Sequence, residues 1–471
     1  MSFASISFAF LFLVVLLGRL TLGRDKRGSA YFLFLLSASL VFYSWHIPIY
    51  LVLLVGVSWL NYFVAARLGA AGLDPARKKR WVRLALIGSL GTLGVFKYLD
   101  FCLRSVGFAV STLGIGSPNW GVDLALPIGI SFYTFQSLSY VIDVYRGELK
   151  HRSSFSEFLL YVSFFPQLVA GPIVRAKDFF YQWNRRRRLS WPLVSEACFQ
   201  LISGFFFKLV IADGLANIVD GHWGERSIVN GLLGIGGLTL LFGGQIFADF
   251  AGYSMIARGL AYLLGFRLPL NFDAPYIASS LQEFWRRWHI SLSTWLRDYL
   301  YVPLGGNRNG NLATMRNVFL VMLLGGIWHG AGMPFILWGV VHGFGLLIEK
   351  ALGIRVNHSG AGLGKRIGWY LVTQTFVFTA WMIFRMESSM QLIGMVQSGV
   401  RDGWGLSGLL ELQQGLIFLL PILGLHLRRL FEVSGRIQPA TQTEKACWAG
   451  VMMVFILTAY AQGTAFIYFQ F

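Results

Sequence analysis

Long apolar stretches separated by short polar or basic connectors run through almost the whole chain. They lie at residues 6–17, 30–45, 48–68, 81–99, 125–145, 155–173, 194–219, 228–247, 253–266, 318–327, 334–352, 367–384, 409–425 and 446–469. A helix needs about 20 mostly apolar residues to cross the hydrocarbon of a bilayer. The pattern therefore predicts an all-α, polytopic integral membrane protein with about 10 to 12 spans, some of them incomplete. Because no long polar linker interrupts the chain, we expect a single domain over residues 1–471.

The basic residues near the first apolar stretch predict its orientation. No positive charge precedes residues 6–17, whereas a secretory signal carries its charge before the apolar stretch. The charges follow it, at Arg19, Arg24, Lys26 and Arg27. Since basic loops stay in the cytoplasm, we expect an uncleaved first helix with the N-terminus outside. A second basic loop at residues 77–80, after the third apolar stretch, agrees with this orientation.

One apolar stretch, residues 155–173, conflicts with simple alternation across the membrane. Basic segments flank it on both sides, at residues 145–152 and 175–188, so both of its ends should be cytoplasmic. Pro166 and Pro172 interrupt a helix there. We therefore predict a re-entrant hairpin. Because broken backbone at membrane depth is tolerated only where protein buries it or where it lines a cavity, the hairpin also indicates a nearby site.

Composition and charge exclude several classes of protein. Hydrophobic residues make up 55% of the chain and charged residues only 13%, which excludes a soluble globule and a disordered chain. The net charge of +18 would suggest nucleic acid in a soluble protein, but here it follows from basic cytoplasmic loops. Three cysteines without short spacing predict neither a metal site nor a disulfide framework.

The segment 283–299, EFWRRWHISLSTWLRDY, places polar chemistry among aromatic residues. The spacing of Trp288, Leu292, Trp295 and Tyr299 puts them on one helical face. Periodicity alone favours an amphipathic interfacial helix, in which Glu283 and Arg287 could pair at a spacing of four. His289 fits that interpretation poorly, since it lies among the aromatics and precedes two serines.

A second histidine ends the apolar segment 323–332, LLGGIWHGAG, where four glycines surround it. An ionisable group in a membrane is costly and normally faces a bundle interior or a cavity. His329 could be a neutral structural imidazole that bonds to a backbone carbonyl. Alternatively, it could act as a general base, because burial lowers the pKa of histidine and keeps the ring neutral beside a hydroxyl or thiol. Two such histidines 40 positions apart favour function.

Other candidates are weaker. A buried Asp249 needs a cation, for which Arg258 or the arginines of segment 283–299 could serve. His342 lies 13 positions beyond His329, off the same helical face, which indicates a structural or secondary role. The chain shows no nucleophile elbow, no complete phosphate-binding loop and no zinc-ligand spacing. We predict no metal site.

Two of these segments carry a resemblance to a known family. The motifs at residues 286–289, 291–299 and 325–330, with further matches at 126–133, 170–172, 271–272 and 275–277, strongly resemble the membrane-bound O-acyltransferases. Within that family the chain resembles the bacterial branch that acetylates exopolysaccharides. The likeness covers about residues 126–350.

The resemblance implies a tunnel through the bacterial inner membrane with two histidines near its narrowest point. His329 matches a nearly invariant histidine of the family, and His289 matches a position that holds His or Asn. The residues near them become candidates for the tunnel wall or substrate contacts: Trp288, Ser293, Trp328, Arg297, Asp298 and Asp249.

The resemblance also implies a donor, an acceptor and partners. An acetyl group from a cytoplasmic thioester, acetyl-CoA, would cross to an acceptor reached from the periplasm. We expect a periplasmic acetyltransferase partner, the polysaccharide secretion machinery and the lipid bilayer as partners, and no nucleic acid. Four basic residues could attract the phosphates of the donor, although this loop also fits a plain topology anchor: Arg175, Lys177, Arg185 and Arg186.

Three alternatives stay open. We expect the polymer to be alginate, cellulose or another exopolysaccharide; Met255 stands where the alginate proteins carry an acidic residue, which weakens the case for alginate. The chain could be a transporter or export scaffold for acyl groups, since broken helices and midplane polar groups also fit that class. D-alanyl transfer to teichoic acid shares the same family core.

Overall fold

A computed structural model describes the chain at residues 2–22, 29–70, 72–114, 116, 120–122, 124–152, 154–169, 171–185, 188–223, 231–354, 362–386, 389–405, 409–410 and 412–458. Every extended regular element in these ranges is a helix, and no strand occurs in them. The predicted all-α, polytopic fold class is confirmed.

The helices follow the apolar stretches. The first part of the chain contains α1 Ile6–Thr21, α2 Ser29–Ser44, α3 Tyr50–Gly69, α4 Pro75–Thr112, α5 Ile130–Arg146, α6 Phe155–Ser163, α7 Phe165–Leu168 and α8 Ala176–Asn184. The middle contains α9 Trp191–Phe205, a π-helix Phe206–Ala212, α10 Asp213–Trp223, α11 Gly231–Leu263, a 3-10 turn Pro275–Ile277, α12 Leu281–Arg287, α13 Ile290–Leu296 and a second π-helix Arg297–Tyr301. The last part contains α14 Gly310–His329, α15 Met333–Ala351, α16 Leu363–Arg385, α17 Ser389–Asp402, α18 Gln413–Val433 and α19 Gln442–Thr458.

Seven helical segments in the described ranges are long and apolar enough to cross a membrane: Tyr50–Gly69, Pro75–Thr112, Trp191–Trp223, Gly231–Leu263, Gly310–His329, Met333–Ala351 and Leu363–Arg385. Helices α1 and α2 are apolar but shorter. The figure of 10 to 12 spans, which includes such shorter helices, stays a prediction.

Helix α11 differs from the sequence-based prediction. Two apolar stretches, 228–247 and 253–266, were expected with polar residues between them, but one 33-residue helix covers both from Gly231 onward. The intervening Asp249 is buried and forms an ion pair with Lys208. Because Lys208 of the π-helix supplies a cation for this carboxylate, the polar residue does not end the helix.

The chain divides into two compact units, one of residues 1–198 with 257–269 and one of residues 199–256 with 270–471. Whether the chain acts as a single domain stays a prediction.

In the first unit, the predicted break in stretch 155–173 is observed. Helix α6 ends at Ser163 and the four-residue α7 contains Pro166. The side chains of Tyr161 and Gln167 hydrogen-bond to backbone carbonyls around the break, including the Tyr161 hydroxyl to the Val174 oxygen at 2.9 Å. These bonds satisfy backbone groups that a continuous helix would pair internally. That this segment is a re-entrant hairpin, which enters and leaves the membrane on the same side, stays a prediction.

In the second unit, α14 and α15 approach each other closely at glycines. A Cβ on Gly326 would meet the backbone oxygen of Phe335 and would lie 2.9 Å from the Gly339 Cα. A Cβ on Gly339 would lie 2.7 Å from the Met322 oxygen. Only a residue without a side chain permits this approach. These glycines therefore fix the distance between α14 and α15, and with it the position of His329 relative to α15.

Candidate functional site

The segment 283–299 is interrupted at His289. The expected continuous amphipathic helix is wrong, because α12 ends at Arg287 and α13 begins at Ile290. His289 lies between them with φ 42°, in the left-handed region that costs a β-carbon-bearing residue about 1–2 kcal/mol. Trp288 is only 1% exposed, which excludes the interfacial position that periodicity favoured.

The buried side chain of Asn271 holds this interruption in place. Its Oδ1 accepts hydrogen bonds from the Ser291 hydroxyl at 2.7 Å and the Ser291 backbone N–H at 3.2 Å. Its backbone oxygen accepts from the Ile290 N–H at 2.9 Å. Its Nδ2 donates to the Ser254 hydroxyl of α11 at 3.2 Å. The backbone carbonyl and the side-chain amide of Asn271 thus satisfy the first backbone N–H groups of α13, and the amide also joins α13 to α11.

The imidazole of His289 is fully buried among aromatic rings. The Phe250 ring of α11 meets it edge to face at 4.7 Å, and the Trp328 ring lies 6.4 Å away. Neither ring nitrogen hydrogen-bonds to another residue within the described part of the chain. Since buried polar groups are normally paired, this imidazole is available to orient or polarise a bound group.

His329 is the last residue of α14 and is 6% exposed. Its ring lies 4.9 Å from Trp328, 5.1 Å from Trp338 of α15 and 5.4 Å from Phe384 of α16. Trp328 therefore lies next to both histidines, at 6.4 Å from His289 and 4.9 Å from His329. The structure thus brings the two histidines near one indole, and their catalytic roles stay a prediction.

A cavity of about 600 Å³ opens beside His329. Helices α12 to α15 and the second π-helix line it: Gln282, Trp285, Arg286, Ile290, Leu292, Ser293, Thr294, Leu296, Arg297, Tyr301, Val318, Val321, Met322, Gly325, His329, Trp338 and Leu346. Its wall is mainly apolar with a few polar groups. Ligand sites commonly combine these two features, because apolar walls exclude water and a few polar groups set orientation.

Glu349 positions the cavity wall formed by α12. This buried carboxylate of α15 accepts hydrogen bonds from the backbone N–H groups of Leu281 and Gln282, at 2.6 and 2.9 Å. It therefore caps the N-terminus of α12, whose free N–H groups favour negative charge. Within α12, the predicted pair of Glu283 and Arg287 is confirmed at 3.0 Å.

Three polar candidates surround the cavity. Ser293 lines it and donates its hydroxyl to the Trp288 oxygen at 3.3 Å. Arg297 also lines it, with a largely exposed side chain that pairs with Asp298 at 2.7 Å. Arg286 contributes a second guanidinium to the lining. The cavity thus holds a histidine, a hydroxyl and cationic groups suited to an anionic ligand or a developing oxyanion.

Other sequence-based candidates lie outside this lining, including the fully buried His289. Trp288 packs in an aromatic cluster, 4.7 Å from Trp381 and 5.0 Å from Phe272. Trp328 contacts the two histidines, and Asp298 acts as the ion-pair partner of Arg297.

Asp249 has a different partner from those expected. Lys208 Nζ lies 2.8 Å from the Asp249 Oδ1 and 2.7 Å from the Asp213 Oδ1, and all three side chains are buried. Lys208, which the sequence analysis did not consider, is thus an ion-pair partner of Asp249. The next residue of α11, Phe250, packs on His289, so this ion-pair cluster lies behind the site rather than in its cavity.

The basic residues considered for donor recruitment lie in the first unit. Arg175 precedes α8, Lys177 is exposed, and the Arg185 guanidinium donates to the Tyr181 hydroxyl at 2.7 Å. Arg186 lies outside the described residues. A role for these residues in binding a donor stays a prediction.

Sequence reasoning missed three residues of the site. Asn271 was part of a motif without an assigned role, and no role was assigned to Trp338 or Lys208 within their apolar stretches. A lone lysine in an apolar stretch was the available signal for Lys208. In the described part of the chain, no group of three His, Cys, Asp or Glu side chains could hold a metal ion.

Comparisons with known proteins assign this architecture to a family. The sequence profile of the membrane-bound O-acyltransferase family, MBOAT, matches residues 145–390. The chain is 43% identical over 388 residues to the "Probable alginate O-acetylase AlgI" of Pseudomonas aeruginosa, across 82% of this chain and 72% of that protein. It is 36% identical over 395 residues to the "Peptidoglycan O-acetyltransferase" of Helicobacter pylori, across 77% of this chain and 73% of that protein. It is 33% identical over 240 residues to the "Teichoic acid D-alanyltransferase" of Streptococcus thermophilus, across 48% of this chain and 57% of that protein. The chain belongs to the membrane-bound O-acyltransferase family and is an acyltransferase enzyme.

Proposed function

We propose that this protein transfers acetyl groups from a cytoplasmic donor, acetyl-CoA, across the bacterial inner membrane for the O-acetylation of an exopolysaccharide. The observation that carries this proposal is the position of His329 on the wall of a 600 Å³ cavity that also presents a serine hydroxyl and two arginines. A neutral histidine in an apolar surrounding suits proton transfer from a hydroxyl. The names of the relatives from P. aeruginosa and H. pylori support an acetyl group and a polysaccharide as substrates.

In the proposed reaction, His329 accepts the proton of the attacking hydroxyl. The hydroxyl oxygen forms a bond to the acetyl carbonyl carbon, and the bond from that carbon to the thioester sulfur breaks. The thiolate leaves and takes up the proton from His329. His289 orients the acetyl group or stabilises the oxyanion, since its nitrogens have no other partner among the described residues.

We propose alginate or cellulose as the final polymer, with a periplasmic acetyltransferase and the secretion machinery as partners. The immediate acceptor would then be a serine hydroxyl of that periplasmic partner. The relative from P. aeruginosa favours alginate and the substitution at Met255 favours cellulose. D-alanyl transfer is a second candidate, supported by the relative from S. thermophilus.

The central test replaces His329 with alanine. We expect the acetyl content of the secreted polysaccharide to fall at least about a hundredfold, the lower range of general-base contributions. His222→Ala is the matched control, because that ring binds the Ile218 oxygen of its own helix and lies outside the cavity lining. Normal acetylation by the His329 variant at an equal protein level would contradict the proposal.

A second experiment separates chemistry from transport. Protein purified in detergent, without a membrane gradient, is given acetyl-CoA and a soluble hydroxyl acceptor. An enzyme forms the acetyl ester and free CoA under these conditions. A transporter or export scaffold forms neither, and that result would decide for the alternative.

A further inference from the structure

A second cavity, of about 870 Å³, lies on the other side of α12. Gln282, Trp285 and Arg286 of that helix face the His329 cavity, whereas Glu283 and Arg287 face this one. Helices α16 and α18 form its long walls, and Tyr276 and His426 lie at its base, with their rings stacked at 5.3 Å. We call it the α16–α18 groove. The proposed acetyl transfer does not use it.

The walls of the groove are apolar and open to the surroundings. Leu363 and Ile367 of α16 are 72% and 49% exposed, and Leu423 and Leu427 of α18 are 53% and 41% exposed. In a membrane protein, exposed leucines of this kind face acyl chains rather than water. Its volume of about 870 Å³ distinguishes the groove from a flat lipid-facing helix surface.

Two cationic side chains of the groove lining have no carboxylate partner in the described ranges. Arg366 lies in the first turn of α16, where the helix dipole is also positive, and Arg436 follows the end of α18. Glu283 balances Arg287 by a 3.0 Å ion pair. Neither Arg366 nor Arg436 forms an ion pair with a carboxylate in those ranges, so the lining carries two positive charges that no acidic side chain neutralises. Ser434 adds a hydroxyl beside them.

The length of the apolar wall matches one leaflet. From Leu419 to Leu430 the α18 axis rises about 16 Å, at about 1.5 Å per residue. Half of the hydrocarbon core of a bilayer measures about 15 Å. A ligand with its charge at Arg436 would therefore extend its apolar part to about the bilayer midplane.

We propose that the α16–α18 groove binds one glycerophospholipid, with its phosphodiester between Arg366 and Arg436 and an acyl chain along α18. Guanidinium groups bind phosphate oxygens in bidentate geometry, and basic pockets between membrane helices hold lipid headgroups. The groove is thus a specific lipid site adjacent to the catalytic cavity and separated from it by α12.

The test measures lipid binding rather than acetylation, so it stands apart from the proposed function. The full chain is purified in detergent, depleted of lipid and titrated with phosphatidylethanolamine under native mass spectrometry. Wild type is expected to bind one lipid tightly, and Arg366→Ala/Arg436→Ala is expected to bind at least about tenfold more weakly. Lys365→Ala is the matched control, because Lys365 neighbours Arg366 but lies outside the groove lining. It should bind as wild type does.

Three further measurements keep the proposal falsifiable. Leu423→Trp, which fills the groove and keeps both arginines, should also weaken binding, and melting temperatures identify any variant that fails to fold. Diacylglycerol, which lacks the phosphate, and inorganic phosphate, which lacks the chains, should bind at least about tenfold more weakly than the phospholipid. Equal binding by the arginine variant and the Lys365 control would overturn the site. Stoichiometric displacement of the lipid by acetyl-CoA would overturn the assignment to a lipid in favour of a donor site.

Discussion

The backbone of His289 has a conformation that its residue type rarely adopts. Its φ of 42° turns the chain between α12 and α13 and directs the imidazole into the aromatic cluster. Asn271 supplies the hydrogen bonds that hold this turn. Strained backbone persists only where its surroundings determine it and often marks a functional site. The geometry of His289 therefore supports a role beyond packing.

Substitutions at His289 should separate backbone strain from chemistry. Asparagine tolerates the left-handed region, so His289→Asn is expected to keep a melting temperature close to wild type while acetyl transfer falls. His289→Val adds a β-branched side chain in that region and should lower the free energy of unfolding by about 1–2 kcal/mol. Thermal unfolding in detergent and acetyl-transfer assays measure both effects. Equal stability of the two variants would show that the left-handed turn is not a constraint.

The sequence alone indicates the two histidines, because an ionisable residue in an apolar segment is costly to bury and therefore points to a functional or structural role. The role of Asn271 was not predictable in the same way. Its partners, Ser254 and Ser291, lie 17 and 20 positions away in the chain. Side-chain hydrogen bonds over such separations have no periodic signature, so only the folded arrangement identifies them.

At the level of elements, the first π-helix brings two charges together. Lys208 and Asp213 are five positions apart, and the Asp213 N–H donates to the Lys208 oxygen, which is the spacing of a π-helix. Their side chains meet at 2.7 Å, and Asp249 of α11 completes the cluster. The cluster therefore connects the helix Trp191–Trp223 to α11, whose Phe250 and Ser254 support the His289 turn.

Loss of the lysine should destabilise the protein strongly. Lys208→Met leaves two buried carboxylates without their cation, and breaking a buried pair in this way costs about 3–5 kcal/mol. The triple variant Lys208→Met/Asp213→Asn/Asp249→Asn removes the charges together and should recover most of that loss. Thermal unfolding in detergent compares the three proteins. A triple variant no more stable than Lys208→Met would show that the cluster contributes more than charge balance.

The approximate positions of most helices follow from the apolar stretches, but the interruptions do not. The prolines predicted the break between α6 and α7 because their effect on a helix is local. The break at His289 contains neither proline nor glycine, and tertiary hydrogen bonds impose it. The continuity of α11 through Asp249 has the same origin, since a distant lysine removes the cost of burying that carboxylate.

At the scale of the whole molecule, the orientation across the membrane is the principal prediction from charge. In a background in which Cys102, Cys198 and Cys447 are replaced by alanine, Ile47→Cys should react with a membrane-impermeant maleimide from the periplasmic side. Lys78→Cys should react only after the inner membrane is permeabilised, since its basic segment 77–80, predicted as a loop, forms the first turns of α4 at the expected cytoplasmic end. Labelling of both in intact spheroplasts, or the reverse pattern, would contradict an outside N-terminus.

By itself, the sequence determined that the protein is an all-α membrane protein and approximately where its helices run. It also identified His289 and His329 as candidate site residues. These properties depend on composition and local periodicity, which any stretch of chain displays on its own. The tertiary structure decided that Trp328 lies against both histidines, that a cavity opens beside His329, and that Lys208 neutralises Asp249. Those arrangements depend on contacts between helices far apart in the chain. The free-energy cost of a buried charge, and the ligand that an apolar wall can bind, depend on which side chains the fold places next to them.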